Sequence, residues 1–237
     1  MSYLILIRHG QSIWNLEKRF TGWVDVDLTE NGQSEAKKAG DLIKKSNIHI
    51  NYYYSSLQLR ANKTLEIIQE RLNVEKKYVR AWQLNERHYG ELTGLNKIET
   101  IKKLGEDKVY QFRRSWNTKP SPLNKESPFH PLNIDTYKDI PSKFIPNTES
   151  LMDTFQRTTE YFKLEIMDKI KDGNILISAH GNSIRALCKF LFKLDEKQIT
   201  KLEIPTGNPL LININKNLQI LNCNYLDKDR ARDLLVF

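Results

Sequence analysis

Two distant stretches of the chain, LILIRHGQS at residues 4–12 and ILISAHGNS at residues 175–183, share one pattern. Each is a short apolar run that predicts a buried strand, followed by His-Gly, a polar residue and Ser, and then by a helical pattern. Ligands bind at the carboxyl ends of strands in parallel sheets, and glycine lets the backbone approach a ligand closely. If the two strands are neighbours, His9 and His180 face each other across one pocket.

Around these stretches, strand-like and helix-like segments alternate. Residues 48–55 and 210–214 are further candidate strands, and apolar side chains recur at helical spacing over residues 60–72 and after Ser150. Such alternation predicts an α/β fold of three layers, in which helices cover both faces of a mostly parallel sheet.

A proline-rich segment interrupts this alternation. Six of the eight prolines fall between residues 116 and 147, and proline breaks both helices and strand ladders. We expect a single domain over residues 1–237, because a chain of this length fits one large domain, with an irregular excursion at about 116–147. Irregular segments of this length are usually lids or binding loops, so the excursion is a candidate wall or lid of the pocket.

Composition limits the class of protein. Hydrophobic residues make up 39% of the chain and charged residues 28%, as in ordinary soluble globular proteins. Cys188 and Cys223 lack a CxxC spacing, which argues against a disulfide framework or zinc knot and favours a reducing, cytoplasmic location. No apolar run is long enough to span a bilayer and no signal-peptide pattern begins the chain, so no membrane partner is expected.

The net charge of +8 allows three interpretations: a solvated basic surface, a site for a small anionic molecule, or a nucleic-acid surface. Lysines and arginines are scattered and often stand beside acidic residues, as in residues 35–38 and 66–71. A nucleic-acid surface would show dense basic runs interleaved with aromatic residues, so no nucleic-acid partner is expected.

Phosphate and metal chemistry are the two alternatives for paired histidines at strand ends. No His-x-x-x-His spacing occurs and no acidic cluster stands beside either strand end, so no metal is expected. Arginine favours phosphate, because Arg8 precedes His9 and Arg60 begins a helix, where a guanidinium and first-turn amides can hold an anion. A neutral imidazole among arginines suits a phosphoryl acceptor.

Longer strings of the sequence resemble a known family. The run RHGQS at residues 8–12 resembles the signature of the histidine phosphatase superfamily, and five ordered strings resemble the cofactor-dependent phosphoglycerate mutases. This resemblance extends from the first strand to about Pro209 and implies the phosphoglycerate mutase-like fold. The strings are NLEKRFTGW at 15–23, LNERHYG at 84–90, LTGLNK at 92–97, RRS at 113–115 and AHGNS at 179–183.

The resemblance also implies a role for each matching residue. His9 would be the nucleophile that becomes phosphohistidine, and Glu86 would be the general acid and base. Arg8, Arg60 and His180 would hold the transferring phosphoryl group. Substrate-binding groups would come from Ser12, Asn15, Thr21, Gly22, Arg87, Tyr89, Lys97, Arg113, Arg114, Gly181 and Asn182.

The activity that the resemblance implies is an isomerase reaction of glycolysis and gluconeogenesis, which interconverts 3-phosphoglycerate and 2-phosphoglycerate. The cofactor 2,3-bisphosphoglycerate would prime the phosphoenzyme, and no metal would take part. Minor bisphosphoglycerate synthase or phosphatase activity would accompany the main reaction. Members of the family are commonly dimers or tetramers, so a homo-oligomer is implied.

Alternatives to this interpretation stay open. A phosphomonoesterase or a bisphosphoglycerate synthase would share His9 and its arginines. The further cations Arg87, Lys97, Arg113 and Arg114, together with Glu86, favour a mutase. A basic nucleic-acid-binding protein would leave the paired His-Gly units unexplained. A catalytically dead scaffold would not need His9, Glu86 and His180 together. Residues 229–237 are a shorter end than many family tails. We expect a short tail to weaken closure of the site and to shift the balance between mutase and phosphatase activity.

Overall fold

The computed structural model describes residues 1–231 and contains a six-stranded sheet. Its strands are β1 (Ser2–Arg8), β2 (Tyr52–Ser55), β3 (Val79–Arg80), β4 (Ile175–Ala179), β5 (Leu210–Ile214) and β6 (Ile220–Tyr225). They lie in the order β3-β2-β4-β1-β5-β6. The pairs β2–β3, β2–β4 and β1–β4 are parallel, whereas β5 is antiparallel to β1 and β6. The prediction of a mostly parallel sheet is therefore confirmed.

Several helices begin where the sequence offers a capping side chain. The hydroxyl of Thr29 accepts from the backbone N–H of Gly32 at 3.0 Å, and that of Ser150 accepts from the N–H of Asp153 at 3.1 Å. A π-helical turn, Phe162–Ile166, separates α6 from α7. The helices of the described residues are α1 (Ile13–Leu16), α2 (Glu30–Lys45), α3 (Leu59–Leu72), α4 (Lys97–Leu104), α5 (Glu106–Arg114), α6 (Leu151–Tyr161), α7 (Lys169–Asp172), α8 (Gly181–Phe192) and α9 (Glu196–Lys201).

Both faces of the sheet are covered, because successive side chains of a strand point to opposite sides. Leu4 and Leu6 of β1 are buried in a core that includes side chains of α6 and α8. Ile5 and Ile7 are buried on the other face, with side chains of α2 and α3. Each such burial stabilises the fold by roughly 1.5–3 kcal/mol. The predicted arrangement of helices on both faces of the sheet is confirmed.

The register of the two central strands positions the site. Arg8 at the end of β1 stands opposite Ala179 at the end of β4. The backbone N–H of His9 then donates to the carbonyl oxygen of Ala179 at 3.0 Å. Because parallel strands end at the same edge of a sheet, His9 and His180 leave the two strands side by side.

The segment 116–147 packs on the loop that follows α1. The buried Tyr137 donates its hydroxyl to the carbonyl oxygen of Trp23, and Thr136 donates to Oδ2 of Asp25 at 2.7 Å. These contacts hold the segment next to the loop that carries Gly22. Its regular structure consists of the 3₁₀ turns Pro131–Asn133, Asp135–Tyr137 and Ser142–Phe144.

The second strand is shorter than the sequence predicts. We expect a strand over 48–55, whereas β2 begins at Tyr52. The reason is its partner, because β4 begins at Ile175, directly opposite Tyr52, and earlier residues have no strand residue to pair with.

Within the described part of the chain, every helix is too short or too polar to cross a membrane. Residues 232–237 lie outside the described residues. The prediction that the short end at 229–237 weakens closure of the site concerns mostly those residues.

Candidate active site

The imidazole rings of His9 and His180 form the floor of the site. Their centroids lie 5.0 Å apart with the planes tilted by 60°. Both side chains are buried, His9 with an exposed fraction of 2% and His180 with 0%. The matched ends of β1 and β4 therefore bring together the two histidines that the sequence pairs.

Hydrogen bonds fix the tautomer of His9. Its Nδ1 donates to the carbonyl oxygen of Gly10 at 2.7 Å, because a carbonyl can only accept. Its Nε2 accepts from Nε of Arg60 at 3.2 Å, because a guanidinium can only donate. Burial, and then the charges of Arg60 and Arg8, hold the pKa of His9 well below its usual value. The ring is therefore neutral and carries its lone pair on Nε2.

Arg60 is itself fixed by four acceptors. Besides His9, its guanidinium donates to the carbonyl oxygens of Val24 and Gly22, each at 3.0 Å, and to Oε1 of Gln58 at 3.3 Å. Gly22 has a φ of +53°, a left-handed conformation that glycine adopts without strain. The turn at Gly22 thus aims its carbonyl at Arg60, which sits in the first turn of α3.

His180 makes a different set of contacts. Its Nε2 lies 2.8 Å from the hydroxyl oxygen of Ser56, at the end of β2. Its Nδ1 is buried and has no hydrogen-bond partner among the described residues. Burial, followed by the charges of Arg60 and of the neighbouring groups, holds the pKa of His180 well below its usual value. A second neutral imidazole with an unpaired polar atom therefore lies beside His9.

Glu86 enters the site from the loop before the 3₁₀ turn at Gly90–Leu92. Its Oε1 accepts from the backbone N–H of Arg87 at 2.7 Å, from Nδ2 of Asn182 at 2.8 Å and from the N–H of Asn182 at 3.2 Å. Within residues 1–231, no hydrogen bond engages Oε2. A methyl group at Gly181 would lie 3.8 Å from Oε2 of Glu86 and 3.6 Å from Nε of Arg8, so both groups converge there.

A salt bridge next to α6 fixes the loop that carries Glu86. Arg157 of α6 pairs with Glu149 at 2.6 Å, and its guanidinium donates to the carbonyl oxygens of Gln83, Asn85 and Glu86 at 2.7–3.0 Å. Both partners of the pair are largely buried. The backbone at Glu86 is therefore tied to α6.

A cavity of about 130 Å³ opens in front of Glu86 and carries an excess of positive charge. Five cationic side chains line it against two carboxylates. Buried N–H groups of Arg8, Arg87 and Arg185 in or beside it have no partner among the described residues. Unpaired buried donors are costly, and an anion would satisfy them. The lining residues are Arg8, Glu86, Tyr89, Lys97, Arg113, Arg114, Gly181, Asn182, Arg185, Glu203 and Ile204.

The positive charge of the cavity affects the pKa values of Tyr89 and Lys97. Burial raises the pKa of Tyr89, but Arg87, Lys97 and Arg113 outweigh it, so the net shift is downward. Burial, and then the charge of Arg113, lowers the pKa of Lys97 against an opposing effect of Tyr89. Arg87 also lies 4.6 Å above the Tyr89 ring. Such a field attracts anions.

Five residues that the sequence assigns to substrate binding lie outside this lining, namely Ser12, Asn15, Thr21, Gly22 and Arg87. Ser12 and Asn15 cap α1, because the Ser12 hydroxyl accepts from the N–H of Asn15 and the Asn15 side chain accepts from the N–H of Ser12. Thr21 is buried one residue before Gly22. Their role in binding stays a prediction.

Sequence reasoning missed several residues of the site. Ser56 contacts His180, and Gln58 bridges Arg60, Glu86 and Gly22 through its amide. Glu203 and Arg185 line the cavity. The helical spacing of Asn182 and Arg185, three residues apart at the start of α8, was a usable signal for Arg185.

Comparison with known proteins gives consistent matches. The model of the histidine phosphatase superfamily (branch 1) matches residues 4–130 and 130–222. A 2,3-bisphosphoglycerate-dependent phosphoglycerate mutase of Pelagibacter ubique (strain HTCC1062) is 65% identical over 238 residues, which cover 100% of both chains. A protein of the same name from Maricaulis maris (strain MCS10) is 44% identical over 241 residues, covering 99% of this chain and 98% of that protein.

Solved structures share the fold at much lower identity. A mycobacterial glucosyl-3-phosphoglycerate phosphatase, solved with VO3, superposes with a TM-score of 0.69 at 21% identity. The match covers 95% of this chain and 98% of that one. The likeness extends to the fold.

Proposed function

Since the chain belongs to the 2,3-bisphosphoglycerate-dependent phosphoglycerate mutases of the histidine phosphatase superfamily, we propose that His9 carries the phosphoryl group in their reaction. The chain is an isomerase that interconverts 3-phosphoglycerate and 2-phosphoglycerate. The observation that carries the assignment to His9 is its fixed neutral tautomer, with the lone pair of Nε2 facing Arg60.

His9 attacks phosphorus through Nε2. The N–P bond forms as the bond between phosphorus and the substrate oxygen breaks. The hydrogen bond from Nδ1 to the Gly10 carbonyl stabilises the positive charge that the ring gains. Arg60 and Arg8 lie where negative charge builds on the phosphoryl oxygens, which favours the transition state. His180 adds a polar contact on the neighbouring side of the floor.

Glu86 moves the proton. Three donors occupy Oε1, so Oε2 is the oxygen that gives a proton to the leaving alkoxide and takes one from the attacking hydroxyl in the reverse direction. Asn182 and Gly181 border this oxygen and contact the substrate beside it. Glu86, the acid, thus approaches the substrate from the cavity, and His9, the nucleophile, approaches it from the floor of the site.

The charged lining fits 2,3-bisphosphoglycerate and the monophosphates. When bound, 2,3-bisphosphoglycerate supplies the phosphoryl group that primes His9. Unpaired N–H groups of Arg8 and Arg87 provide donors for its anionic groups. The substrate must present either end to His9, and cations on separate elements can hold the other end in turn. The cations are Arg87, Lys97, Arg113 and Arg114, and the Tyr89 hydroxyl adds a neutral polar group.

Labelling of the protein tests the assignment to His9. Incubation with 2,3-bisphosphoglycerate carrying radioactive phosphorus should give one acid-labile, base-stable label, and His9→Gln should remove it. His49→Gln, at an exposed histidine, is the matched control and should keep it. A label that survives in His9→Gln would move the phosphoryl group to another residue.

The remaining implications of the family stay predictions. A homo-oligomer, either a dimer or a tetramer, is testable by sedimentation, and metal independence by assay in excess chelator. A cytoplasmic location follows from glycolytic substrates, which the name of the relatives implies. Minor synthase or phosphatase activity and a single domain over residues 1–237 belong to the same set of proposals.

A further inference from the structure

We propose that Arg185 is a positioning residue of this site, which orients the side-chain amide of Asn182 and, through it, the carboxylate of Glu86. The inference rests on the proposed function, because it concerns the same proton transfer. Arg185 lies on α8, three residues after Asn182, and its exposed fraction is 3%.

The contact between the two side chains is direct. Nη1 of Arg185 donates to Oδ1 of Asn182 at 3.0 Å, and Nη2 donates to the carbonyl oxygen of Ile199 in α9. The second bond anchors the guanidinium at its far end. Arg185 therefore presents a fixed N–H group to the Asn182 amide.

A guanidinium can bond only to the oxygen of a side-chain amide and not to its nitrogen. The oxygen and nitrogen of an Asn side chain can exchange places by rotation, but a guanidinium can only donate. It therefore selects the rotamer in which Oδ1 faces Arg185. Nδ2 then faces the site and donates to Oε1 of Glu86 at 2.8 Å and to the Tyr89 hydroxyl at 3.1 Å. The opposite rotamer would set an amide oxygen against the carboxylate.

The arrangement decides which oxygen of Glu86 is free. Asn182 supplies two of the three donors on Oε1, one from its backbone and one from its side chain. Loss of the Asn182 side-chain donor would let the Glu86 carboxylate rotate, so that Oε2 would no longer point in a single direction. A proton-transfer group displaced by about 1 Å can lose about 100-fold in rate.

The environment of Arg185 argues against a purely structural part. Within residues 1–231, the guanidinium forms no salt bridge with a carboxylate, and Arg87 and Arg114 are among its charged neighbours. Burial, followed by those two cations, lowers the pKa of Arg185 to about 9. Tyr89 and Glu203 offset this lowering only in part. A buried cation without a direct salt bridge is destabilising, and a well-packed apolar side chain would avoid that. An arginine at this buried position therefore fits a task at the site better than a purely structural one.

A double-mutant cycle tests the proposal. Arg185→Met should lower kcat for 3-phosphoglycerate by about 10- to 100-fold, with KM within about threefold of wild type. Arg185→Lys keeps a donor and should recover most of the loss. In the Asn182→Ala background, Arg185→Met should add less than about threefold, because both changes break one chain of contacts. Lys189→Met, on the same helix and outside the site, should behave as wild type.

Three results would overturn the proposal. Additive effects in the cycle would show that Arg185 acts without Asn182. A raised KM at unchanged kcat would make Arg185 a substrate ligand. The third result comes from NMR and does not depend on catalysis. The side-chain NH₂ resonance of Asn182 should shift in Arg185→Met, and an unchanged resonance would reject the proposal. Failure of the proposed function is separate, since it requires that the wild-type protein itself does not isomerise phosphoglycerate.

Discussion

Nε of Arg60 donates a hydrogen bond to Nε2 of His9 at 3.2 Å, so a buried cation contacts the nitrogen lone pair that we propose attacks phosphorus. The other ring nitrogen donates to the Gly10 carbonyl. Both contacts favour the neutral ring, because a protonated Nε2 would face an N–H group of a cation. Arg60 thus favours an unprotonated His9, and in the proposed mechanism it remains beside the transferred phosphoryl group.

The first prediction concerns the charge of His9. Burial, Arg60 and Arg8 lower the pKa of His9, so its ring should stay neutral when the pH falls through 6.5, the usual value for histidine. NMR of histidine-labelled protein without substrate measures this directly. A His9 resonance that titrates with a midpoint near 6.5 would contradict the account.

Replacing Arg60 tests the shape of its side chain. Arg60→Lys keeps the charge but loses the fork that reaches His9, Gly22 and Val24. We expect kcat/KM to fall by about 100- to 1,000-fold, as for loss of a preorganised donor. Arg71→Lys, at an exposed arginine of the same helix, is the control. Near-normal activity of Arg60→Lys would show that charge alone suffices.

We expect Glu203 to compete with substrate for Arg114. The two side chains form an ion pair at the cavity, and Glu203 has an exposed fraction of 51%. Glu203→Gln should free Arg114 and lower KM for 3-phosphoglycerate by about two- to fivefold, the range of an exposed ion pair. Glu196→Gln on α9 is the control. A raised KM would mean instead that Glu203 holds Arg114 in place.

Acid stability should depend on His88. Burial, and then His130 and Arg157, lowers the pKa of His88 to about 3 from 6.5 in the unfolded chain. Between those values the unfolded state binds more protons, so the free energy of unfolding falls as the pH drops below 6.5. The full shift corresponds to roughly 5 kcal/mol.

Urea unfolding at several pH values measures this contribution. His88→Gln should be less stable at neutral pH, yet lose less stability between pH 6.5 and 4 than the wild type. The exposed His49→Gln serves as the reference and should keep the wild-type slope. If both variants show the same slope as wild type, His88 does not carry the acid sensitivity.

The central strands could be predicted because their signals are local. Residues 4–7 and 175–177 are uninterrupted apolar runs, which only a strand covered on both faces buries fully. Strands β3 and β6 had no such signal. β3 has two residues, both exposed, and β6 has mostly partly or fully exposed side chains at the edge of the sheet. Edge strands are defined by their partners rather than by their own sequence.

The site was predictable only in part. The two His-Gly units and Arg60 stand out in the sequence, whereas Gln58 and Glu203 reach the site from loops or helix ends with no motif to mark them. Gly10 has a packing role that the sequence did not indicate. A methyl group there would lie 2.1 Å from the carbonyl oxygen of Gly32, so the absence of a side chain at Gly10 lets helix α2 pack closely. Such contacts depend on tertiary packing, which a single sequence does not display.

One assay tests the central claim most directly. The protein is given 3-phosphoglycerate in excess chelator, with and without trace 2,3-bisphosphoglycerate, and 2-phosphoglycerate and inorganic phosphate are followed together. The account predicts that 2-phosphoglycerate forms faster than phosphate, that the bisphosphate stimulates it, and that His9→Gln abolishes it. Release of phosphate without 2-phosphoglycerate, or isomerisation that survives in His9→Gln, would contradict it.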